Sequence, residues 1–350
     1  VGGAVRDRLH RGRWSEGPDL DVVVEGDAVA VARRLPGEVV VHPDFGTATW
    51  TAPQGLVDLV TARRESYPSP GALPVVEPAD LAADLARRDF TVNAIALRLW
   101  PEPAGLLTDP LGGAEDLKAG LLRAHHPRSF ADDPTRLLRA ARYGTRLGLR
   151  LEEATASWAR SADVDSVAGE RWLAEWRLLL TEPDPQAALG WLCGAGWTAP
   201  LGLLSDPPPL VLLDALEDGW LGSLALVGGP RPLHLPAWLQ ARYDALRAPG
   251  PDLGVDDLAL EASVAAMSAL RRRVLALRQP ALADALARGE ALAAEPPLLR
   301  GRDLIAVGMA PGPAVGEALR RLRRAQRLEG LQDREAALTL LRAEGLFDGA

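Results

Sequence analysis

The sequence opens with VGGAVRDRLHRGRWSEGPDLDVVVEG (residues 1–26), which carries the first strand signal and a pair of acids. The apolar, β-branched run Leu20–Val24 follows Gly17-Pro18 and predicts a strand. Asp19 and Asp21 lie at the start of that strand. Because side chains alternate along a strand, the two carboxylates share one face.

Two carboxylates on one face repel each other unless a cation lies between them. Mg²⁺ suits such a pair, since it prefers oxygen ligands and keeps waters that a phosphate can replace. Two such ions, about 4 Å apart, can activate an attacking hydroxyl and stabilise a departing pyrophosphate. The alternative for an isolated D-x-D is a pair of solvated loop acids. The preceding Gly2, Gly3 and Arg6 strengthen the first interpretation, because glycine backbone and arginine charge can both approach a triphosphate.

Outward from this stretch, the first hundred residues carry alternating strand and helix signals. Strands are predicted at 38–42, 46–51 and 56–61, and a short helix at 28–35. The apolar segment 90–99 predicts either a fifth strand or the start of a helix. Together these signals indicate a head with a small mixed sheet.

After Asp116 the apolar residues recur every three to four positions, which predicts helices. The predicted helices are 135–147, 168–180, 185–195, 262–277 and 315–328. The fold class is therefore α+β, with a mixed-sheet head followed by a helical remainder.

Composition excludes several classes of protein. The 350 residues are 47% hydrophobic and 25% charged, which is globular usage. No run of eighteen apolar residues and no leader are visible, so we expect a cytoplasmic protein without a membrane span. The sequence does not begin with Met, and we expect natural residues before Val1. The net charge of -8 means that any contact with nucleic acid is made through local basic patches.

Two further clusters carry chemistry. In Arg87-Arg88-Asp89-Phe90-Thr91-Val92-Asn93, acid and amide groups suit ribose hydroxyls and arginine suits phosphate. The second, Asp132-Asp133-Pro134-Thr135-Arg136, opens a helix on which Arg136, Arg139 and Arg142 share one face. Residues 123–146 hold six arginines against two acids, which predicts an anion site rather than only a solvated basic face.

The motifs VGGAVRD, DLD, RRDFTVNAIA, DPLGGAEDLKAGLLR, FADDPTRLLRAARY and GERWLAEW together resemble the class II tRNA nucleotidyltransferases. That family contains the CCA-adding enzymes and the bacterial poly(A) polymerases. The resemblance covers residues 1–176 densely and 301–330 again. It implies a nucleotidyltransferase head like that of DNA polymerase β, followed by an all-helical neck, body and tail. The domains would be 1–122, 123–180, 181–254 and 255–350.

The resemblance also implies roles for residues. Asp19 and Asp21 would be the catalytic ligands of two Mg²⁺ ions, with Asp58 as a candidate third acid. Triphosphate and ribose contacts would come from Gly2, Gly3, Arg6, Arg88, Asp89 and Asn93, and base and phosphate contacts from Asp133, Arg136, Arg139 and Arg142. Glu170 and Arg171 would brace the neck. Independently of the resemblance, the tail carries a basic strip that is either a solvated helix face or a contact with the tRNA backbone, for which the candidates are Arg320, Arg321 and Arg324.

The expected reaction transfers CMP, AMP or both from CTP and ATP to the tRNA 3′ end. Cytosine and adenine present an amino donor beside a ring-nitrogen acceptor, which the carboxylate of Asp133 and the guanidinium of Arg136 can match. Uracil and guanine place a carbonyl opposite the carboxylate, and a buried mismatch of that kind costs about 1–3 kcal/mol. One Asp-Arg pair can thus select C and A over U and G.

The product remains open. The segment ARRESYPSPGALPVVEPADLAADL (62–85) resembles that of lineages in which CC addition and A addition are split between two proteins. The stretch VVVHPDFGTATW (39–50) lacks the basic run of poly(A) polymerases, so that activity ranks lower. A catalytically silent RNA-binding homologue is the second alternative. No protein partner is evident.

Overall fold

The computed structural model describes residues 1–14, 20–43, 46–53, 55–204, 219–229, 235–251, 253 and 256–346. The chain divides into two compact units. The first unit comprises Val1–Leu210 and Val227–Leu239, and the second comprises Val211–Leu226 and Gln240–Ala350. Among the described residues, no helix combines the length and apolar character that crossing a bilayer requires. The finer division into head, neck, body and tail stays a prediction.

A four-stranded mixed sheet forms the head. After helix α1 (Gly3–Arg11) come β1 (Leu20–Val24), α2 (Ala28–Ala32), β2 (Val39–His42), β3 (Thr47–Ala52) and β4 (Gly55–Thr61). The strand order is β1-β4-β3-β2, with β1 parallel to β4 and the other pairs antiparallel. The predicted strands and the short helix are confirmed to within a few residues.

The two faces of this sheet have different roles. On one face Val57 and Leu59 are buried with Ala28 and Ala32 of α2. Asp58, between Val57 and Leu59, is exposed on the opposite face. Apolar packing on one face thus fixes which face of β4 carries the acid.

The rest of the head consists of short elements. They are β5 (Arg63–Ser66), β6 (Val75–Pro78), α3 (Leu81–Ala86), β7 (Ala96–Leu97), β8 (Leu107–Thr108), α4 (Gly113–Lys118) and β9 (Leu121–Leu122). The segment 90–99 is neither a continuous strand nor a helix. Thr91–Asn93 form one 3₁₀ turn, and the side chains of Asp89 and Asn93 bond each other across it. This local hydrogen bonding competes with a regular ladder and leaves only Ala96–Leu97 as strand.

Helices dominate the chain beyond the head. They begin with α5 (Ser129–Asp132), α6 (Arg136–Leu147), α7 (Glu153–Ala159), α8 (Gly169–Leu180) and α9 (Pro185–Gly194). The predicted helices 135–147, 168–180 and 185–195 are confirmed with small shifts. One detail departs from an all-helical neck: a short strand β10 (Arg150–Leu151) pairs in parallel with β9.

Further helices follow along the chain. They are α10 (Gly219–Val227), α11 (Ala237–Arg247), α12 (Asp257–Ala265), α13 (Ala269–Arg278), α14 (Ala283–Ala294), α15 (Gly301–Ala306), α16 (Pro313–Leu328) and α17 (Arg334–Ala343). The prediction of one helix at 262–277 is wrong, because α12 ends at Ala265 and α13 begins at Ala269. The hydroxyl of Ser268 accepts from the backbone N–H of Arg271 and caps the second helix.

Candidate active site

A cavity of about 710 Å³ opens within the first unit, beside the exposed face of the head sheet. Its walls hold seven arginines and five carboxylates, so it is locally positive in an acidic protein. The sequence-predicted residues that line it are Gly3, Arg6, Asp21, Asp58, Arg88, Asp89, Asn93, Asp133, Arg136 and Arg139. Motifs more than a hundred residues apart along the chain therefore meet at one site.

Two carboxylates face this cavity from neighbouring strands. Asp21 of β1 and Asp58 of β4 are partners in the parallel register, and both are exposed. The hydroxyl of Thr49 donates to Asp58 Oδ1 at 2.6 Å, which orients that carboxylate. Asp19 lies outside the described residues.

The acid pair fits a hard divalent cation by its donor chemistry. Carboxylate oxygens are the ligands that Mg²⁺ prefers, and this ion commonly takes only one or two of them and keeps waters. Within the described part of the chain, no group of three or more His, Cys, Asp and Glu residues forms a metal cluster. The two described carboxylates, Asp21 and Asp58, are thus the observed part of a candidate site.

The glycines at the start of α1 allow close approach to the RRD motif. Gly2 has φ +63°, and a Cβ built on it would lie 2.5 Å from Nη1 of Arg88. The backbone N–H of Gly2 donates to the carbonyl of Ile95 at 2.9 Å. Arg6, which is 2% exposed, donates from Nη1 to Oδ1 of Asn93. Gly3 and Arg6 line the cavity, and the predicted triphosphate residue Gly2 is not among the lining residues.

Asp89 is the centre of the hydrogen bonds in the RRD motif. Its Oδ1 accepts from Asn93 Nδ2 at 2.8 Å, and its Oδ2 accepts from Arg139 Nε at 2.8 Å. Burial alone would raise the pKa of Asp89, but Arg139, Asn93 and Arg136 outweigh burial and lower its pKa to about 2. The ionised form of Asp89 is thus favoured, and its carboxylate joins the head to α6 through Arg139.

Asp133 and Arg136 flank the start of α6, as the motif predicts. Asp133 Oδ1 accepts from the hydroxyl of Thr135 at 2.6 Å and from Nη2 of Arg171 at 2.8 Å. Arg136 is 5% exposed and donates to the Ser129 hydroxyl at 2.6 Å. Arg136 retains further N–H donors beyond this bond. The side chain of Arg171 also donates to the carbonyl of Gly71 at 2.9 Å, so Arg171 ties Asp133 to the β5–β6 connection.

Arg139 and Arg142 differ in surroundings although they share a helix face. Arg139 lines the cavity and pairs with Asp89 and Glu175. Arg142 is 11% exposed, is not part of the cavity wall, and pairs with Glu175 and Glu182. The location of Arg139 thus supports its predicted phosphate role. Arg142 instead joins α6 to Glu175 of α8 and to Glu182, which lies two residues beyond the end of α8.

Several residues of the cavity wall were not singled out by sequence reasoning. Tyr67 donates to Glu65 at 3.2 Å, and burial raises the pKa of Tyr67 to about 12. Tyr143 also lines the cavity, as does Arg146, which is one of the six arginines of the predicted anion site. The helical spacing from Arg136 and Arg139 was a signal that could have found Tyr143, since it lies seven and four residues further on.

The predicted tRNA-contacting arginines lie on α16 in the second unit. Arg321 forms ion pairs with Glu329 and Glu344. Arg320 and Arg324 are exposed, and no ion pair of either is found among the described residues. The spacing of four residues puts these two side chains next to each other on the helix surface.

Comparisons with known proteins agree with the site. Residues 1–123 match the family model described as Poly A polymerase head domain. A CC-adding tRNA nucleotidyltransferase of Deinococcus radiodurans is 39% identical over 98% of this chain and 88% of the relative. An A-adding tRNA nucleotidyltransferase of Halalkalibacterium halodurans is 42% identical over 69% of this chain, which spans 56% of that relative.

Solved structures extend the likeness to the helical part. The Thermotoga maritima CCA-adding enzyme complexed with tRNA-CCA superposes with a TM-score of 0.70 and 26% identity. The match covers 98% of this chain and 90% of the other. The chain spans most of the length of the D. radiodurans relative, and its motif residues lie together in one cavity. The chain therefore belongs to the class II tRNA nucleotidyltransferase family.

Proposed function

We propose that this protein transfers CMP, AMP or both from CTP and ATP to the 3′ end of tRNA without a template. The proposal is supported by three groups of residues that line one cavity. They are the paired acids Asp21 and Asp58, the arginines suited to phosphate, and the Asp133-Arg136 pair. Paired acids are needed for nucleotidyl transfer and are not needed for RNA binding alone.

The reaction forms a bond between the RNA 3′ oxygen and the α-phosphorus and breaks the bond from that phosphorus to the β-phosphate oxygen. Asp21 and Asp58, with Asp19, would hold Mg²⁺, which supplies positive charge for the attacking hydroxyl and the departing pyrophosphate. Arg6 and Arg139 bind and orient the triphosphate from the cavity wall. Asp89 and Asn93 orient the ribose, and Asp89 in turn fixes the guanidinium of Arg139.

Base selection rests on Asp133 and Arg136. Asp133 accepts from the exocyclic amino group of cytosine or adenine, and Arg136 donates to the ring nitrogen. Arg171, which bonds Asp133 at 2.8 Å, holds the carboxylate in place. A carbonyl in the position of the amino group would face an acceptor and lose the bond.

The direct test supplies purified protein with three tRNAs, ending before CC, after CC and after CCA, and with CTP, ATP or both. A CC-adding protein extends the first tRNA by two residues, an A-adding protein extends the second by one, and a CCA-adding protein does both. The tRNA that already ends in CCA is the control and stays unextended.

Two results would overturn the proposal. Processive addition of AMP to unrelated RNA would indicate a poly(A) polymerase. A wild-type protein that binds tRNA but incorporates nothing into any of the three would indicate a catalytically silent homologue.

A further inference from the structure

Four arginine side chains surround the ring of Tyr143, which lines the cavity. The guanidinium carbons of Arg6, Arg139, Arg142 and Arg146 lie 5.1, 5.5, 6.0 and 5.4 Å from the ring centroid of Tyr143. All four distances are in the range of a cation–π contact. Arg139 also donates to the Tyr143 hydroxyl at 3.1 Å.

Carboxylates compensate three of these four arginines. Arg6 pairs with Asp7, Arg139 with Asp89 and Glu175, and Arg142 with Glu175 and Glu182. Arg146 has no ion pair with a carboxylate in the part of the chain that the structure describes, and its contact is with the ring. A guanidinium that lies in a cavity wall without an acidic partner can donate hydrogen bonds to an anion that enters the cavity.

The position of Arg146 indicates which anion it meets. Arg146 lines the same cavity as Arg6, and both guanidiniums lie on the Tyr143 ring. Arg6 belongs to the Gly2-Gly3 motif, which the proposed function assigns to the triphosphate. The alternative is purely local: Arg146 occupies the last turn of α6, where a positive charge complements the helix dipole.

We propose that Arg146 binds phosphate oxygens in the cavity and that Tyr143 is the positioning residue that presents it. This inference rests on the proposed function, since it assumes that the cavity receives a nucleotide and an RNA end. The phosphate comes from the incoming triphosphate or from the RNA backbone, and the ring geometry favours the triphosphate.

Equilibrium binding without turnover tests the ligand. CTP, CMP and a tRNA lacking its terminal CCA are each titrated onto wild type, Arg146→Ala, Arg146→Lys and Arg150→Ala. Arg150 is an exposed arginine four residues further on and does not line the cavity, so it is the matched control. Arg146→Ala should weaken CTP binding by about tenfold or more, the usual loss of a charge-assisted bond, and Arg146→Lys should weaken it less. Arg150→Ala should bind as wild type does.

The same titrations identify the source of the phosphate. Weaker binding of CTP with unchanged binding of CMP assigns Arg146 to the outer phosphates of the nucleotide. Weaker binding of tRNA alone assigns it to the RNA backbone and supports the shared phosphate chemistry. Wild-type affinities of Arg146→Ala for all three ligands would overturn the inference, even if that variant melts at a lower temperature.

A double-variant cycle tests the positioning role of Tyr143. Tyr143→Phe keeps the ring and should bind CTP within about threefold of wild type, whereas Tyr143→Leu should lose about as much as Arg146→Ala. Adding Arg146→Ala to Tyr143→Leu should cost little more, because both changes remove one interaction. Fully additive losses would contradict the positioning role.

The incorporation assay separates this inference from the proposed function. A wild-type protein that extends tRNA, with Arg146→Ala binding every ligand normally, refutes only the inference. A wild-type protein that extends no tRNA, with CTP binding that depends on Arg146, refutes only the proposed function.

Discussion

Asp133 presents acceptors to whatever enters the cavity beside α6. Its Oδ1 is already engaged by Thr135 and Arg171, so its direction is fixed before a nucleotide binds. A fixed acceptor discriminates strongly, because a base with the wrong edge leaves buried groups unpaired. Selectivity of the protein therefore depends on a carboxylate and not only on the shape of the cavity.

Asp133→Ala should relax this selectivity. We expect incorporation of UMP, relative to CMP or AMP, to rise by about 10-fold, since the lost discrimination is about 1–3 kcal/mol. A four-nucleotide incorporation assay measures the ratio, and Asp132→Asn is the control because Asp132 pairs with Arg128 and does not line the cavity. An unchanged ratio in Asp133→Ala would refute the base-reading role.

His125 makes the stability of the first unit depend on pH. Within the described residues neither ring nitrogen has a hydrogen-bond partner, and burial, with Arg136, His126 and Arg88, lowers the pKa of His125 to about 4. The folded state therefore holds this ring neutral, whereas the unfolded chain protonates it near its ordinary pKa. The contribution of the neutral His125 ring to the free energy of unfolding is complete above pH ~6.5 and is lost as pH falls towards 4.

Replacing His125 should flatten that dependence. Between pH 7 and 4.5 the free energy of unfolding of wild type should fall by on the order of 2 kcal/mol more than that of His125→Asn. Urea unfolding at the two pH values measures the difference, and His10→Asn at the exposed end of α1 is the control. Equal losses in wild type and His125→Asn would contradict this account.

Helix α6 carries the cavity residues on one side and packs on α9 with the other. A Cβ built on Gly144 would lie 2.5 Å from the Trp191 ring, so only glycine allows the observed approach of the two helices. A Cβ on Gly190 of α9 would meet nothing within 4 Å. The two glycines therefore have opposite consequences when they are replaced.

Gly144→Ala should destabilise the protein by about 1–3 kcal/mol through overpacking. Gly190→Ala should instead stabilise it by about 0.5–1 kcal/mol, because alanine is the better helix residue. Chemical unfolding of the two variants is the measurement. Equal effects, or a stabilising Gly144→Ala, would show that α6 and α9 do not pack as described.

At the scale of elements, the sequence predicted what local chemistry controls. The four head strands follow from β-branched runs, and the alternation in β4 correctly separates Asp58 from Val57 and Leu59. The pairing of Asp21 with Asp58 was not predictable, because register between strands distant along the chain is a tertiary property. The break between α12 and α13 was missed because the apolar spacing continues across Ser268. The N-cap that Ser268 provides for α13 is visible only in the structure. Helical spacing could have placed Tyr143 on the face of Arg136 and Arg139, but the contact of Arg6 with its ring is tertiary and was not predictable.

For the whole molecule, tRNA binding should depend on Arg320 and Arg324 of α16, which pair with no acid among the described residues. Replacing Arg320 and Arg324 together by alanine should weaken tRNA binding and reduce the slope of log affinity against log salt by about 1–2, one unit or less per lost phosphate contact. Filter binding from low to high salt measures the slope. Arg321→Ala is the comparison, since Arg321 is held by Glu329 and Glu344. A larger slope change in Arg321→Ala than in the double variant would contradict this assignment.

Acids on the exposed face of the head sheet should serve nucleotide transfer and not RNA binding. The most direct measurement is single-turnover incorporation of CTP and ATP into tRNA by wild type and Asp21→Asn, with tRNA affinity measured on the same samples. We expect incorporation by wild type, a loss of at least about 1,000-fold in Asp21→Asn, and tRNA affinity of that variant within about threefold of wild type. Incorporation by Asp21→Asn at the wild-type rate would contradict this role of the acids.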